Sequence, residues 1–150
     1  MNRFTQNFAH LLGMLLLTLL VAVMTGSTEI IPVVFGIEMI TTRHHHRRFH
    51  DGSLIDHDWI ALLGMILFFG GLCLGIGRHA PAWGVGAMLL VFSTQLVSMG
   101  LHEEIHELDT DTGIGSPIKI VAGLLIIMAI AIALPTLRLF PKPFWQEGML

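Results

Sequence analysis

The sequence predicts an all-α integral membrane protein, a bundle of four transmembrane helices, and three observations carry that prediction. The 150 residues are 53% hydrophobic and 13% charged, far more apolar than a soluble domain of this length. Four apolar runs, each ~17–20 residues, are long enough to cross a hydrocarbon core of roughly 30 Å. No lysine, arginine, aspartate or glutamate lies inside the first three runs, and only Lys119 touches the edge of the fourth. Inside lipid the backbone must satisfy its own hydrogen bonds, so such runs are helices. One four-span domain uses nearly all of residues 1–150.

Run one covers about Ala9 to Gly26. With Arg3 ahead of it and Gly26-Ser27 behind, it looks like a secretion signal, but Met24 and Gly26 make a poor cleavage site, so an uncleaved span is expected. The stretch Ser27 to Thr42 follows, apolar but interrupted by Glu29, Pro32 and Glu38. It reads as a kinked extension of helix one or an interfacial helix. The sharper alternative is a re-entrant segment that carries Glu29 or Glu38 to a buried site.

Run two covers Trp59 to Gly77, run three Ala82 to Leu101 and run four Ile118 to Leu134. Trp59 and Trp83 open runs two and three at opposite interfaces, where amphipathic rings are expected. Small residues four apart, Gly71 and Gly75, Thr18, Ala22 and Gly26, and Ala129 and Ala133, suggest close helix contacts. Run three adds the polar row Ser93, Thr94, Gln95 and Ser98; Gln95, near mid-span, needs a partner and is expected to face the interior. Cys73, the single cysteine, reads as a small core hydrophobe. Ser116-Pro117 is expected to open the last helix.

Four spans place the connectors 44–57 and 102–111 on the same face. Seven of the nine histidines then gather there: His44, His45, His46, His50, His57, His102 and His106. His10 and His79 are expected on the opposite face, with both termini. Lysine and arginine counts tie between the two faces, and Arg3 with the amino terminus favours cytoplasmic termini. The net charge of −3 excludes the basic footprint of a nucleic-acid binder. The expected partners are the lipid bilayer of a cell (inner) membrane and other membrane subunits or a second copy.

His102-Glu103-Glu104-Ile105-His106 matches H-E-x-x-H, whose histidines stand one helical turn apart and can grip a metal ion. His46-x-x-x-His50 offers a second one-turn pair, and Asp56-His57-Asp58 adds a further imidazole flanked by carboxylates. Imidazole pairs suit Zn, Cu, Ni or Fe, and not the oxygen-rich sites of Ca or Mg. The candidate metal residues are therefore His102, His106, His46, His50, His57 and Glu103. A site-2 type intramembrane protease would take a further ligand from an acid on a later span, and run four has none, so the reading leans away from an enzyme. Glu103-x-x-His106 is half of a di-iron carboxylate pattern with no second half in the chain.

The two H-x-x-x-H pairs loosely resemble the histidine boxes of the membrane fatty-acid desaturase and hydroxylase group, although no H-x-x-H-H box occurs. That resemblance implies a histidine-ligated di-iron oxidase. The leading expectation remains binding of a divalent transition metal, as a transport, sensing or accessory subunit. The alternative is a non-catalytic subunit or assembly factor of a larger membrane complex.

Overall fold

The computed structural model describes residues 3–49, 58–106 and 114–141. They form α1 (Arg3–Thr25), α2 (Ile30–Phe49), α3 (Asp58–Arg78), α4 (Pro81–His106) and α5 (Ser116–Leu137). Four of these, α1, α3, α4 and α5, are long and apolar enough to cross a membrane, and the protein is an integral membrane protein. The helix termini follow local chemistry. Gly26, with φ of 63°, ends α1 in the left-handed conformation that glycine adopts without steric cost. Pro32 falls in the first turn of α2, where a missing N–H costs nothing. Pro81 opens α4 and Ser116-Pro117 opens α5, as expected of a residue whose φ is already helical.

The segment after helix one is a 20-residue helix, α2. It is not in line with α1 and packs along α3. Pro32 and Val33 meet α3 at Gly71, and Gly36 meets it at Gly64 and Phe68, so α2 runs antiparallel to α3. Gly36 and Gly64 bring the two backbones together; a Cβ on Gly36 would stand 2.5 Å from the Phe68 nitrogen and 2.6 Å from the Gly64 oxygen. The α4–α5 pair uses the same device, with Gly100 against Ser116 and Ile120 and Gly123 against Ser93 and Val97. Of the expected small-residue rows, Gly71 meets α2 and Gly75 meets Trp83, whereas Ala129 is exposed and Gly123 makes the α5 contact instead.

Every consecutive pair of helices is antiparallel. Gln6 donates to the Ile105 carbonyl oxygen at 3.2 Å, so the start of α1 lies beside the end of α4. Phe140, beyond α5, packs on Trp83 at the start of α4. The N-terminal helix therefore begins at the end of the bundle that holds His102 and His106, and the chain beyond α5 leaves at the other. The sequence led both termini to be expected opposite the histidines, whereas the described helices begin and end at opposite ends of the bundle. Counting α2 as a crossing of the bundle makes the number of passes odd.

Two further expectations change. Cys73 is exposed and is no core residue. Trp83 is fully buried, its indole N–H donating to Ser27 Oγ at 2.9 Å, because the turn between α1 and α2 folds over it.

Cysteine labelling in a Cys73→Ala background tests the topology. Cysteines at Thr5, Ser53 and Thr112 are expected to react with an impermeant reagent from one side of the membrane, and cysteines at Ala80 and Gln146 from the other. Labelling of Thr5 and Ala80 from the same side would restore the even-pass arrangement.

Candidate functional site

Helix α4 is the central element, 56% buried against 22% for α3 and for α5 over their spanning windows, so its polar row faces protein. Ser93 and Thr94 spend their hydroxyls on the carbonyls of Leu89 and Val91, one turn back. Gln95 and Ser98 reach across to α2. Their common target is Glu38, whose side chain is 1% exposed.

Three donors converge on that carboxylate. Ser98 Oγ donates to Oε1 at 2.7 Å, Thr42 Oγ1 donates to Oε1 at 3.1 Å, and Gln95 Nε2 donates to Oε2 at 3.1 Å. His10 Nε2 on α1 lies 3.5 Å from Oε1 and 3.2 Å from Ser98 Oγ. The reason for this density of donors is energetic: a carboxylate taken out of water costs several kcal/mol unless hydrogen bonds and an opposite charge replace its hydration. Gln95 thus has the interhelical partner expected of it. Glu38 lies where the re-entrant alternative would put an acid, although a whole helix delivers it.

The imidazoles continue outward from this point. The His10 and His102 rings meet edge to face with centroids 5.0 Å apart, and the His102 and His106 centroids are 4.3 Å apart. A cavity of about 100 Å³ lies among them, lined by His10, Thr42, Gln95, Ser98, His102 and Glu103. It has room for about three water molecules at roughly 30 Å³ each. In the opposite direction the site closes: Met14, Val21, Val33, Val34 and Leu90 are at most 2% exposed. The next ionisable residue toward that end is Glu29, just ahead of α2 and nine positions before Glu38, about 13.5 Å at the helical rise.

Glu29 anchors a second cluster at that far end. Arg78 Nη1 donates to Oε1 at 2.7 Å, Ser27 Oγ donates to Oε2 at 2.9 Å, and His79 Nε2 lies 3.2 Å from Oε2. The His79 ring stacks on Trp83. Burial opposes ionisation of Glu29, but hydrogen bonds from its own backbone amide, His79 and Ser27 outweigh it and hold the carboxyl down at about 2, against an ordinary 4.5. This is a structural clasp between the α1–α2 and α3–α4 turns. His79 is one of its bonding members, more than an interface anchor.

The expected metal residues divide. His102 and His106 stand together on the last turns of α4, with His10 beside them and not on the opposite face. Glu103 is engaged by Lys119, whose side chain is 5% exposed, and Glu104 accepts from Ser116 Oγ. The acids at the end of α4 therefore meet the start of α5. Acids at the end of a helix oppose its dipole, and here the positive N-terminal end of α5 offsets that misfit, a structural reason for Glu103, which the sequence offered as a metal residue. His46 belongs to α2, and His50 and His57 lie outside the described residues. Among the described residues no group of three or more histidine, cysteine, aspartate or glutamate side chains is placed to hold a metal ion.

Sequence reasoning named Glu38 but did not join it to His10, Ser98 and Gln95. The signal that could have joined them was the polar row of run three together with an acid in the apolar segment before it, two groups that each require a buried partner. No family model matches the chain, and neither a curated protein nor a solved structure matches it significantly.

Proposed function

We propose that the protein is a proton-binding membrane protein, with Glu38 as the proton-accepting group and His10 as its partner, serving as a sensor or an ion-coupled subunit. The carrying observation is the nearly complete burial of Glu38 in a membrane bundle among three hydrogen-bond donors and an imidazole. An ionisable residue at such depth is costly and is kept where ions or protons are handled. A proton fits better than a larger cation, because the three donors already occupy carboxylate lone pairs that a metal ion would require. The cavity connects the site to the His102–His106 end, and the apolar layer closes the other direction, an arrangement suited to sensing or coupling and not to an open channel.

Potentiometric titration of the purified protein tests this. Wild type is expected to take up one proton more than Glu38→Gln over the range of acidification in which both proteins remain equally folded by circular dichroism. Identical uptake would remove the reading.

A second reading, binding of a divalent transition metal, is favoured by the close His102–His106 pair. The sequence offers His46, His50 and His57 as the further donors of such a site, and His46 falls near the end of α2. Titration calorimetry with Zn²⁺ on untagged protein separates the two. Saturable binding abolished by His102→Ala with His106→Ala supports the metal, and its absence leaves the proton alone.

A further inference from the structure

The hydroxyl of Ser98 sits between the two proton-binding groups, 3.2 Å from His10 Nε2 and 2.7 Å from Glu38 Oε1. A hydroxyl carries one hydrogen and two lone pairs. While Ser98 donates to Glu38, the contact with His10 must run the other way, with Nε2–H donating to Ser98 Oγ. Since Ser98 Oγ can accept as well as donate, a reversed arrangement satisfies the same three groups. In it Glu38 Oε1–H donates to Ser98 Oγ, and Ser98 Oγ–H donates to His10 Nε2.

From this geometry we infer that Ser98 is a proton relay between His10 and Glu38, a step that rests on Glu38 being the proton acceptor. The transfer balances without any other reactant. His10 begins as imidazolium, with hydrogens on both ring nitrogens, and Glu38 as carboxylate. The Nε2–H bond breaks as a new Oγ–H bond forms on Ser98. The original Oγ–H bond breaks as its hydrogen joins Glu38 Oε1. The products are neutral His10 carrying Nδ1–H and neutral Glu38. Both states have zero net charge and leave no buried polar group unpaired along the relay, so neither suffers the cost of an orphaned charge in the bundle.

The surroundings fix the side from which the proton arrives. The titratable groups packed near the relay are His10 on α1, Glu38 on α2, and His102 and Glu103 on α4, with Lys119 of α5 held by Glu103. The spanning part of α3, residues 59–77, holds only Cys73, which is exposed on the outside of the bundle. His10 is the member that touches His102 and lines the cavity, so it exchanges with water first and Glu38 receives the proton second. On this account Ser98 is a positioning and relay residue, and the site loads from the histidine end alone.

Infrared difference spectroscopy across a pH jump, on protein with ¹³C-labelled glutamate in lipid nanodiscs, tests the relay. Wild type is expected to show a buried carboxyl C=O band that forms after the acid jump, and Glu38→Gln to lack it. Ser98→Thr keeps a hydroxyl and should preserve the rate of band formation, whereas Ser98→Ala should slow it at least about tenfold, one decade of rate. ¹⁵N NMR of labelled histidine should show His10 settling on the Nδ1–H form as that band appears. A wild-type protein without a glutamate-derived carboxyl band would overturn both the relay and the proton-binding function. A normal band whose formation is unchanged in folded Ser98→Ala would overturn the relay and leave the function standing. Should Ser98→Ala fail to fold, a wild-type His10 with Nε2–H retained beside protonated Glu38 would overturn it equally.

Discussion

Gly36→Ala is expected to destabilise the bundle by about 2–3 kcal/mol or more, the upper range for overpacking a filled contact. The added methyl carbon would stand 2.5–3.0 Å from backbone atoms of Gly64 and Phe68, and no side-chain rotamer can relieve a clash with backbone. The helices α2 and α3 must separate, and Glu38, half a turn from Gly36, would be displaced from Ser98 and Gln95. Gly70→Ala is the matched control on α3, because a Cβ there meets nothing within 4 Å. It should be neutral or slightly stabilising, since glycine costs roughly 0.5–1 kcal/mol relative to alanine inside a helix. Thermal unfolding in one detergent measures both. Equal tolerance of the two substitutions would show that α2 and α3 do not meet through Gly36.

The Glu29 clasp sets the second expectation. Its carboxyl is depressed to about 2 from an ordinary 4.5, so the folded state binds this proton more weakly than the unfolded chain. Stabilisation from Glu29 is then complete above about 4.5 and is lost as pH falls through about 2. Every tenfold loss of proton affinity on folding corresponds to about 1.4 kcal/mol of stability. His79, one of the groups that depress it, is itself 24% exposed, and solvent screening lowers the expected total to roughly 2 kcal/mol. Glu29→Gln should therefore cost roughly 2 kcal/mol at neutral pH and lose less stability than wild type on acidification through this window. Chemical unfolding at a series of pH values reads the difference. Parallel curves for the two proteins would mean that the clasp contributes nothing.

The four apolar helices were legible because length, hydropathy and the absence of charge all point the same way in lipid. The helix α2 was harder to read, since Glu29, Pro32, Glu38 and Arg43 break the pattern that identifies a span. What makes it a bundle member is the set of partners waiting on other helices, and hydropathy does not record partners. The same blindness put His10 on the wrong face, because one uncounted pass reverses the end at which α1 begins. Glu103 looked functional for a related reason: its stabilising neighbour, Lys119, stands across a connector. The one-turn spacing of His102 and His106 needed only local helical geometry, and the inward direction of Gln95 only the cost of an unpaired amide in lipid; both were read correctly.

The composition of α2 constrains the order in which the chain can be built into its membrane. A helix with a central glutamate enters bare lipid at a cost of a few kcal/mol, and α1, made before it, offers His10 but not the donors of α4. Ser98 and Gln95 are synthesised some sixty residues after Glu38. During that interval α2 is expected to stay at the lipid–water boundary or against the insertion machinery, and to join the bundle when α3 and α4 arrive. Late and concerted assembly is the expected consequence, and a ribosome stalled before residue 95 is expected to leave α2 accessible to the aqueous phase.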